Sequence, residues 1–308
     1  MKNNTHKPLY LLPFDHRLSY VTGMFNFKPP LNPIQRDEVA DSKQLIYEGF
    51  QQALADGVPA AAAALLVDEE FGAAILRDAV KHGFTAALSV EKSGSDEFEF
   101  EYGEDFARHI EEFNPTFAKI LVRYNPEDDA AMKQRQTDRI RRLSDYCRRT
   151  ERLFMFELLV PATPIQMESV GLDKNAYDEE LRPELMARAI RALQNDGIEP
   201  DVWKIEGLDR RTDCQEIAST VQRGGRDHAC CIILGRGANE AKVSGWLKTA
   251  AGVPGFIGFA VGRTSFWDAV ADYRAKKATR HEACARIAKR YTEWVDIFEQ
   301  AHSAQPRP

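Results

Sequence analysis

Eight short, almost uninterrupted apolar runs are strung along the chain, and a helical pattern follows most of them. The runs cover residues 9–14, 61–67, 86–90, 117–122, 153–160, 202–205, 229–234 and 256–261. A strand that is apolar at successive positions is buried on both faces, as a parallel strand covered by helices is. Between the runs, apolar residues recur at helical spacing: Leu45, Ile46, Phe50 and Leu54 over 42–55, and Ile75, Leu76 and Val80 over 71–82. Ile140, Leu143 and Tyr146 mark 127–149, Leu185, Met186, Ile190 and Leu193 mark 182–194, and Val243 and Trp246 mark 239–250. The pattern continues over 267–275. A long amphipathic C-terminal helix over 278–300 carries Ile287, Tyr291, Trp294 and Ile297.

Eight β-then-α units in series, with no break in composition, predict an α/β fold: a single (β/α)8 TIM barrel with a C-terminal amphipathic helix. The whole chain, 1–308, is expected to be one domain, with the barrel at about 8–275 and the last helix at about 278–300. An open doubly wound sheet is the competitor. It usually has fewer strands and a glycine-rich first turn, whereas the first turn here is Asp15-His16-Arg17-Leu18. Two stretches resist the pattern. Residues 19–37, with Phe25, Phe27, Pro29, Pro30 and Pro33, read as a long first loop over the barrel mouth, and acidic 93–102 reads as a solvated loop. The tail, 301–308, reads as disordered.

The net charge of −6 weighs against nucleic acid or an anionic membrane as the main partner. No apolar run approaches the roughly 18–20 residues that span a bilayer, and 1–8 lacks a signal-peptide apolar region, so a cytoplasmic location is expected. The five cysteines (Cys147, Cys214, Cys230, Cys231, Cys284) form no CxxC pair and read as small buried residues.

In such a barrel the chemistry gathers at the carboxyl ends of the strands. Those ends deliver Asp15, His16 and Arg17, then Asp68, Glu91, Lys119, Arg123, Glu157, Lys204 and Glu206. Lys204 is the sharpest case, because it stands in an apolar strand between Trp203 and Ile205. A lysine removed from water either sheds its proton or finds a partner, and Lys119 two strands away is a cation that would favour shedding. A neutral amine in an apolar pocket is the nucleophile that forms a Schiff base with a ketone. A structural ion pair with Glu206 or Glu157 accounts for Lys204 equally well when it is taken alone. Glu157 suits proton transfer at a carbinolamine, burial raising its pKa and cations lowering it, or it holds Lys204 or Lys119 as a charge partner. The turns Gly235-Arg236-Gly237 and Gly262-Arg263 follow strands seven and eight, the recurrent phosphate site of these barrels, where backbone N–H groups and an arginine fork meet an anion. The seven histidines cannot assemble a zinc site at the strand ends; a magnesium site from Asp15, Asp68, Glu91 and Glu157 is the weaker alternative, and no metal or cofactor is expected.

Several motifs occur in a telling order: Phe14-Asp15-His16-Arg17, Leu65-Leu66-Val67-Asp68-Glu69-Glu70-Phe71-Gly72, Ala118-Lys119-Ile120-Leu121-Val122-Arg123-Tyr124, Phe156-Glu157-Leu158-Leu159-Val160, Trp203-Lys204-Ile205-Glu206, and Gly258-Phe259-Ala260-Val261-Gly262-Arg263-Thr264-Ser265-Phe266-Trp267. Together, from about residue 8 to 270, they resemble the class I tagatose-1,6-bisphosphate aldolase family. The nearest likeness is to the aldolase-like domain fused to 5-dehydro-2-deoxygluconokinase in inositol catabolism, itself similar to 2-deoxy-5-keto-gluconate-6-phosphate aldolases. The resemblance implies Lys204 as the Schiff-base lysine, Glu157 as the acid/base carboxylate, and Lys119 and Asp15 as residues lining the site. It also implies Arg263 as a phosphate contact. Arg17, Asp68, Glu91, Arg123, Glu206, Gly235, Arg236, Gly237 and Gly262 complete the expected substrate and phosphate set. The chain departs from the family where His16, Arg17 and Leu18 replace a Gln and an Arg-Gly pair, and where Gly235-Arg236-Gly237 replaces a serine-rich turn.

The expected activity is cleavage of a phosphorylated keto-sugar or keto-acid, with 2-deoxy-5-keto-gluconate 6-phosphate giving dihydroxyacetone phosphate and malonate semialdehyde as the favoured case. Cleavage of tagatose 1,6-bisphosphate or another ketose phosphate is the near alternative. A phosphosugar isomerase or epimerase using Glu157 or Asp68 as base, and a non-catalytic sugar-phosphate-binding protein, are the alternatives from other classes. The last helix covers either the barrel or a partner subunit of a homo-oligomer.

Overall fold

The computed structural model describes residues 7–304. Eight parallel strands close into a barrel in chain order, β1 pairing with both β2 and β8. They are β1 (Leu9–Pro13), β2 (Ala63–Val67), β3 (Thr85–Ser89), β4 (Phe117–Arg123), β5 (Leu153–Leu159), β6 (Val202–Glu206), β7 (Cys230–Leu234) and β8 (Phe256–Ala260). Every predicted run is a strand, with ends that differ by a residue or two.

The helices are α1 (Leu18–Phe25), α2 (Pro33–Ala55), α3 (Glu69–Lys81), α4 (Phe106–Phe113), α5 (Ala130–Arg149) and α6 (Pro164–Ser169). They continue with α7 (Lys174–Ala176), α8 (Arg182–Asn195), α9 (Arg211–Gln222), α10 (Glu240–Ala250), α11 (Arg263–Arg274) and α12 (Arg280–Ser303).

Pleating decides which side chains reach the site. Successive residues of a strand face opposite sides, so each strand has an inward set and a set facing the helices. Leu9, Leu11, Ala64, Leu66, Ala87, Phe117, Met155, Val202, Cys230, Ile232 and Ala260 form one buried cluster inside the barrel. Their neighbours, such as Leu12, Leu65, Leu88, Ala118, Phe156 and Trp203, pack in the larger cluster between barrel and helices. Two residues beyond an inward apolar residue lies another inward position. From Phe117 that step gives Lys119, from Met155 Glu157, and from Val202 Lys204.

The first expected loop folds otherwise. Within 19–37, residues Tyr20, Val21, Met24 and Phe25 are buried on α1, and α2 begins at Pro33 behind an Asn32–Gln35 capping box. Proline at the first helical position gives up no hydrogen bond, so Pro33 starts a helix. The acidic stretch 93–102 is also more ordered than expected. It turns back at Gly94, whose φ is +81°, and Glu91 bridges to Phe100. Phe98 and Phe100 are buried, Phe100 stacking on Phe106 with ring centroids 4.1 Å apart.

The C-terminal helix covers the barrel of its own chain. Tyr291 donates from its hydroxyl to the Tyr10 carbonyl at 2.6 Å, and Trp294 donates to Ser265 Oγ at 3.1 Å. A Cβ on Gly49 of α2 would stand 2.6 Å from Ile287 Cγ2, which makes glycine necessary where α2 meets α12. The helix runs through Ser303, so the tail expected to be disordered is helical at 301–303, and 305–308 lie outside the described residues.

Candidate active site

Lys119 holds the centre of the barrel mouth. Its Nζ lies 2.8 Å from Asp15 Oδ2, 2.7 Å from Glu91 Oε1 and 2.9 Å from Glu157 Oε2. The other oxygen of Glu157, Oε1, is 2.6 Å from Lys204 Nζ. Glu157 thus bridges two ammonium groups, and Glu157 and Lys204 are register partners across β5 and β6. All five side chains are buried. Four of the strand-end residues expected to carry the chemistry, Lys204, Glu157, Lys119 and Asp15, are therefore brought into one contact network, with Glu91 as its fifth member.

Burial and pairing compete at each group. Burial pushes Glu157 up, but Lys119 and Lys204 outweigh it and hold the carboxyl below its ordinary range. Asp15 is held low in the same way by Lys119, with His16 and Lys204 adding to it. For Lys119, burial favours the neutral amine, yet Asp15, Glu157 and Glu91 together keep it protonated well above the ordinary lysine value. Lys119 is thus a cation whose charge is met by three carboxylates, and its repulsion of Lys204 is correspondingly muted. Glu91 goes the other way: burial raises it, and Lys119 and Arg17 only partly offset that while Asp15 adds to it. Its Oε2 is buried and makes no hydrogen bond.

A cavity of about 380 Å³ opens over this layer. Asp15, His16, Glu91, Lys119, Glu157 and Lys204 form part of its floor, with Arg17, Arg123, Leu18, Ser19 and Thr22 on the sides. Ser93, Gly94, Ser95 and Phe98 of the folded-back segment close it. The cavity therefore extends from Lys204 towards the β1, β3 and β4 ends.

The remaining predicted residues separate into two groups. Arg17 is buried and donates to Glu101 Oε2 at 2.6 Å and to the Glu91 carbonyl, so its charge is spent on the wall. Arg123 stays exposed, its nearest partner being the Ser95 carbonyl at 3.4 Å. Asp68 does not line the cavity: it is fully buried, caps α3 by accepting from the Phe71 N–H at 2.9 Å, and pairs with Lys43 of α2. Glu206 accepts from the Val160 N–H at 2.9 Å and binds Arg236 Nε at 2.9 Å. Arg236 also reaches Asp178 at 2.7 Å, so its guanidinium is engaged by two carboxylates.

Gly235, Gly237 and Gly262 shape the turns after β7 and β8. Gly237 has φ +68°, and a Cβ there would lie 2.5 Å from Arg263 Nη2. At Gly262 the Cβ would lie 2.2 Å from the Pro13 carbonyl, whereas at Gly235 it would make ordinary contact with Val261. Arg263 and Gly237 line a second hollow of about 440 Å³ with Asn239, Thr264 and Trp267. His16 lines the first of these spaces and not the second. Burial holds it neutral, its pKa near 4, against the pull of Asp15 and with Arg263 and Lys204 adding to the fall.

Glu101 and the residues of 93–98 were not among the predicted site residues, and His16, noted at the end of β1, was given no role; all but Glu101 line the cavity, and Glu101 fixes Arg17. Their signal was faint: a histidine next to Asp15, and phenylalanines alternating with acids at 97–101. Among the described residues, no group of three or more His, Cys, Asp or Glu side chains is disposed to hold a metal ion, and no helix is long and apolar enough to cross a membrane.

A family model described as "Uncharacterized protein conserved in bacteria (DUF2090)" matches residues 1–302. No curated protein matches the chain. Solved structures share its fold at low sequence identity. An archaeal fructose 1,6-bisphosphate aldolase is 10% identical with a TM-score of 0.61, over 97% of this chain and 96% of its own. The fructose-bisphosphate aldolase of Plasmodium falciparum is 13% identical with a TM-score of 0.64, over 100% of this chain and 94% of its own. A Schiff base forming fructose-1,6-bisphosphate aldolase is 11% identical with a TM-score of 0.57, over 93% of both chains.

Proposed function

The chain belongs to the DUF2090 family of proteins conserved in bacteria, and from the site just described we propose that it is a class I aldolase in which Lys204 is the Schiff-base nucleophile. One observation carries the reading. A buried lysine on β6 is paired at 2.6 Å with a carboxylate that a second lysine also holds, at the mouth of a cavity large enough for a sugar phosphate. The barrel is shared with structures described as fructose-bisphosphate aldolases, one of them Schiff base forming, which is consistent with this chemistry.

The steps follow from the geometry. Lys204 must give up a proton before it attacks a ketone, and Glu157 Oε1 is the acceptor within reach. Removing that proton also removes one of the two cations that keep Glu157 acidic, so the carboxyl becomes a better proton holder as the amine becomes a nucleophile. Glu157 then returns the proton to the carbinolamine hydroxyl, which leaves as water and completes the imine. The iminium accepts the electron pair of the breaking C–C bond, releasing an aldehyde and leaving an enamine. Lys119, kept charged, fixes Glu157, Asp15 and Glu91 in place through these proton transfers.

For the phosphate we assign Arg263 with the Gly237 turn and the N-terminus of α11; Arg236, held by Glu206 and Asp178, shapes that turn. Arg123, exposed and in contact with the Ser95 carbonyl at 3.4 Å, lines the cavity that holds Lys204. The favoured substrate, on the likeness of the sequence motifs, is 2-deoxy-5-keto-gluconate 6-phosphate, cleaved to dihydroxyacetone phosphate and malonate semialdehyde. Borohydride reduction in the presence of dihydroxyacetone phosphate, followed by mass spectrometry, tests the chemistry. The adduct is expected on Lys204, and an unmodified Lys204 under conditions that support turnover overturns the proposal.

A further inference from the structure

We propose that Glu91 is a second acid–base residue of the site, its free Oε2 taking the proton from the substrate hydroxyl that becomes the aldehyde while Glu157 serves the imine at Lys204. This rests on the aldolase reading and divides its proton transfers between two carboxyls.

The division follows from which oxygens are free. Both oxygens of Glu157 are occupied, one by Lys119 and one by Lys204, so this carboxylate is committed to the nucleophile. Glu91 gives only Oε1 to Lys119; Oε2 is buried, has no hydrogen-bond partner, and belongs to a residue that lines the cavity. A buried carboxyl oxygen without a partner is costly unless something completes it, and a substrate hydroxyl in the cavity would do so. Glu91, Ser93 and Lys204 line the same cavity, so a substrate joined to Lys204 shares that space with Glu91.

Three charged groups act on Glu91: Lys119 on β4, and Asp15 and Arg17 beyond β1, Arg17 being held in turn by Glu101. Burial and Asp15 raise the Glu91 carboxyl despite Lys119 and Arg17, which suits a group that gains and loses a proton during turnover.

In cleavage, the O–H bond of the carbinol breaks and its proton goes to Glu91 Oε2. The oxygen lone pair forms the aldehyde C=O, the C–C bonding pair becomes the C=C bond of the enamine, and the π pair of the C=N⁺ bond moves onto the Lys204 nitrogen. In condensation the enamine carbon attacks the aldehyde and Glu91 returns the proton to the new alkoxide. No other reactant is needed.

The test compares two half-reactions of the full-length protein. The first is exchange of the α-hydrogen of dihydroxyacetone phosphate with solvent, which needs only imine and enamine. The second is condensation of dihydroxyacetone phosphate with malonate semialdehyde or glyceraldehyde 3-phosphate. Glu91→Gln is expected to keep borohydride trapping on Lys204 and exchange within about threefold, and to lose condensation by about 100-fold or more. Glu91→Ala should behave alike and recover condensation with added formate. The wild-type protein supplies a check independent of folding: condensation should fall as pH rises through the Glu91 titration while exchange does not. Condensation by Glu91→Gln at the wild-type rate overturns the inference, as does exchange that falls in parallel or a wild-type pH profile identical for both half-reactions. If the wild type is not trapped at all, the aldolase reading fails and takes this inference with it; a trapped wild type with an unaffected Glu91→Gln removes this inference alone.

Discussion

Glu157 and Lys204 stand directly opposite one another in the β5–β6 ladder, and their charged ends meet at 2.6 Å. The register that pairs them also turns both inward, so the contact is set by backbone hydrogen bonding before any side chain packs. Glu157→Gln keeps the shape and removes the proton acceptor. Imine formation at Lys204, followed by borohydride trapping over time, is expected to slow by about 10²–10⁴-fold. The same carboxylate is held below its ordinary range, so wild-type trapping should persist as pH falls to the usual carboxylate region and fail only below it.

Lys119 neutralises three buried carboxylates. Lys119→Met should destabilise the protein by about 3–5 kcal/mol, because it leaves charges buried without their partner. Thermal unfolding at neutral pH measures this. The sign of the linkage is fixed by the raised lysine: its stabilisation is complete below the ordinary lysine pKa and is lost only as pH climbs through the higher folded value. A variant as stable as wild type at pH 7 would show that the carboxylates find other partners.

His16 gives the opposite dependence on acid. Its pKa is about 6.5 in the unfolded chain and about 4 in the folded one, burial being the largest cause. The unfolded chain therefore binds the proton first, and stability falls as pH drops from 6.5 to 4, by about 3 kcal/mol from this group. Denaturant titrations across that window should show the loss in wild type and a smaller one in His16→Asn.

Asp68 separates structure from chemistry. Asp68→Ala removes the cap of α3 and leaves Lys43 buried without its carboxylate. A loss of about 3–5 kcal/mol in unfolding free energy is expected. Folded Asp68→Ala protein should retain kcat, since the residue does not line the cavity. A kcat loss comparable to that of Glu157→Gln would return Asp68 to the site.

The strands were legible because burial on both faces leaves an apolar run with little room for ambiguity, and Lys204 was legible because a cation interrupts one. The alternation inside each run also placed Lys119 and Glu157. What stayed hidden depends on partners far away in the chain. Asp68 looked like a strand-end ligand because Lys43, 25 positions earlier, lies on a helix whose surface otherwise reads as ordinary. Glu97 and Glu101 made 93–102 look solvated, yet they pair with Arg135 and Arg17 while Phe98 and Phe100 turn inward. Likewise nothing beside Arg236 foretold that Asp178 and Glu206, from two other units, would claim it.

The inward face changes character within one pleat, from Met155 to Glu157 and from Val202 to Lys204. Cα positions in a closed barrel are set by strand pairing, so the lower tier can exchange one apolar residue for another while the upper tier keeps its reach. Structures with this barrel share only 10–13% of their residues with this chain, so the frame itself tolerates wide exchange of side chains.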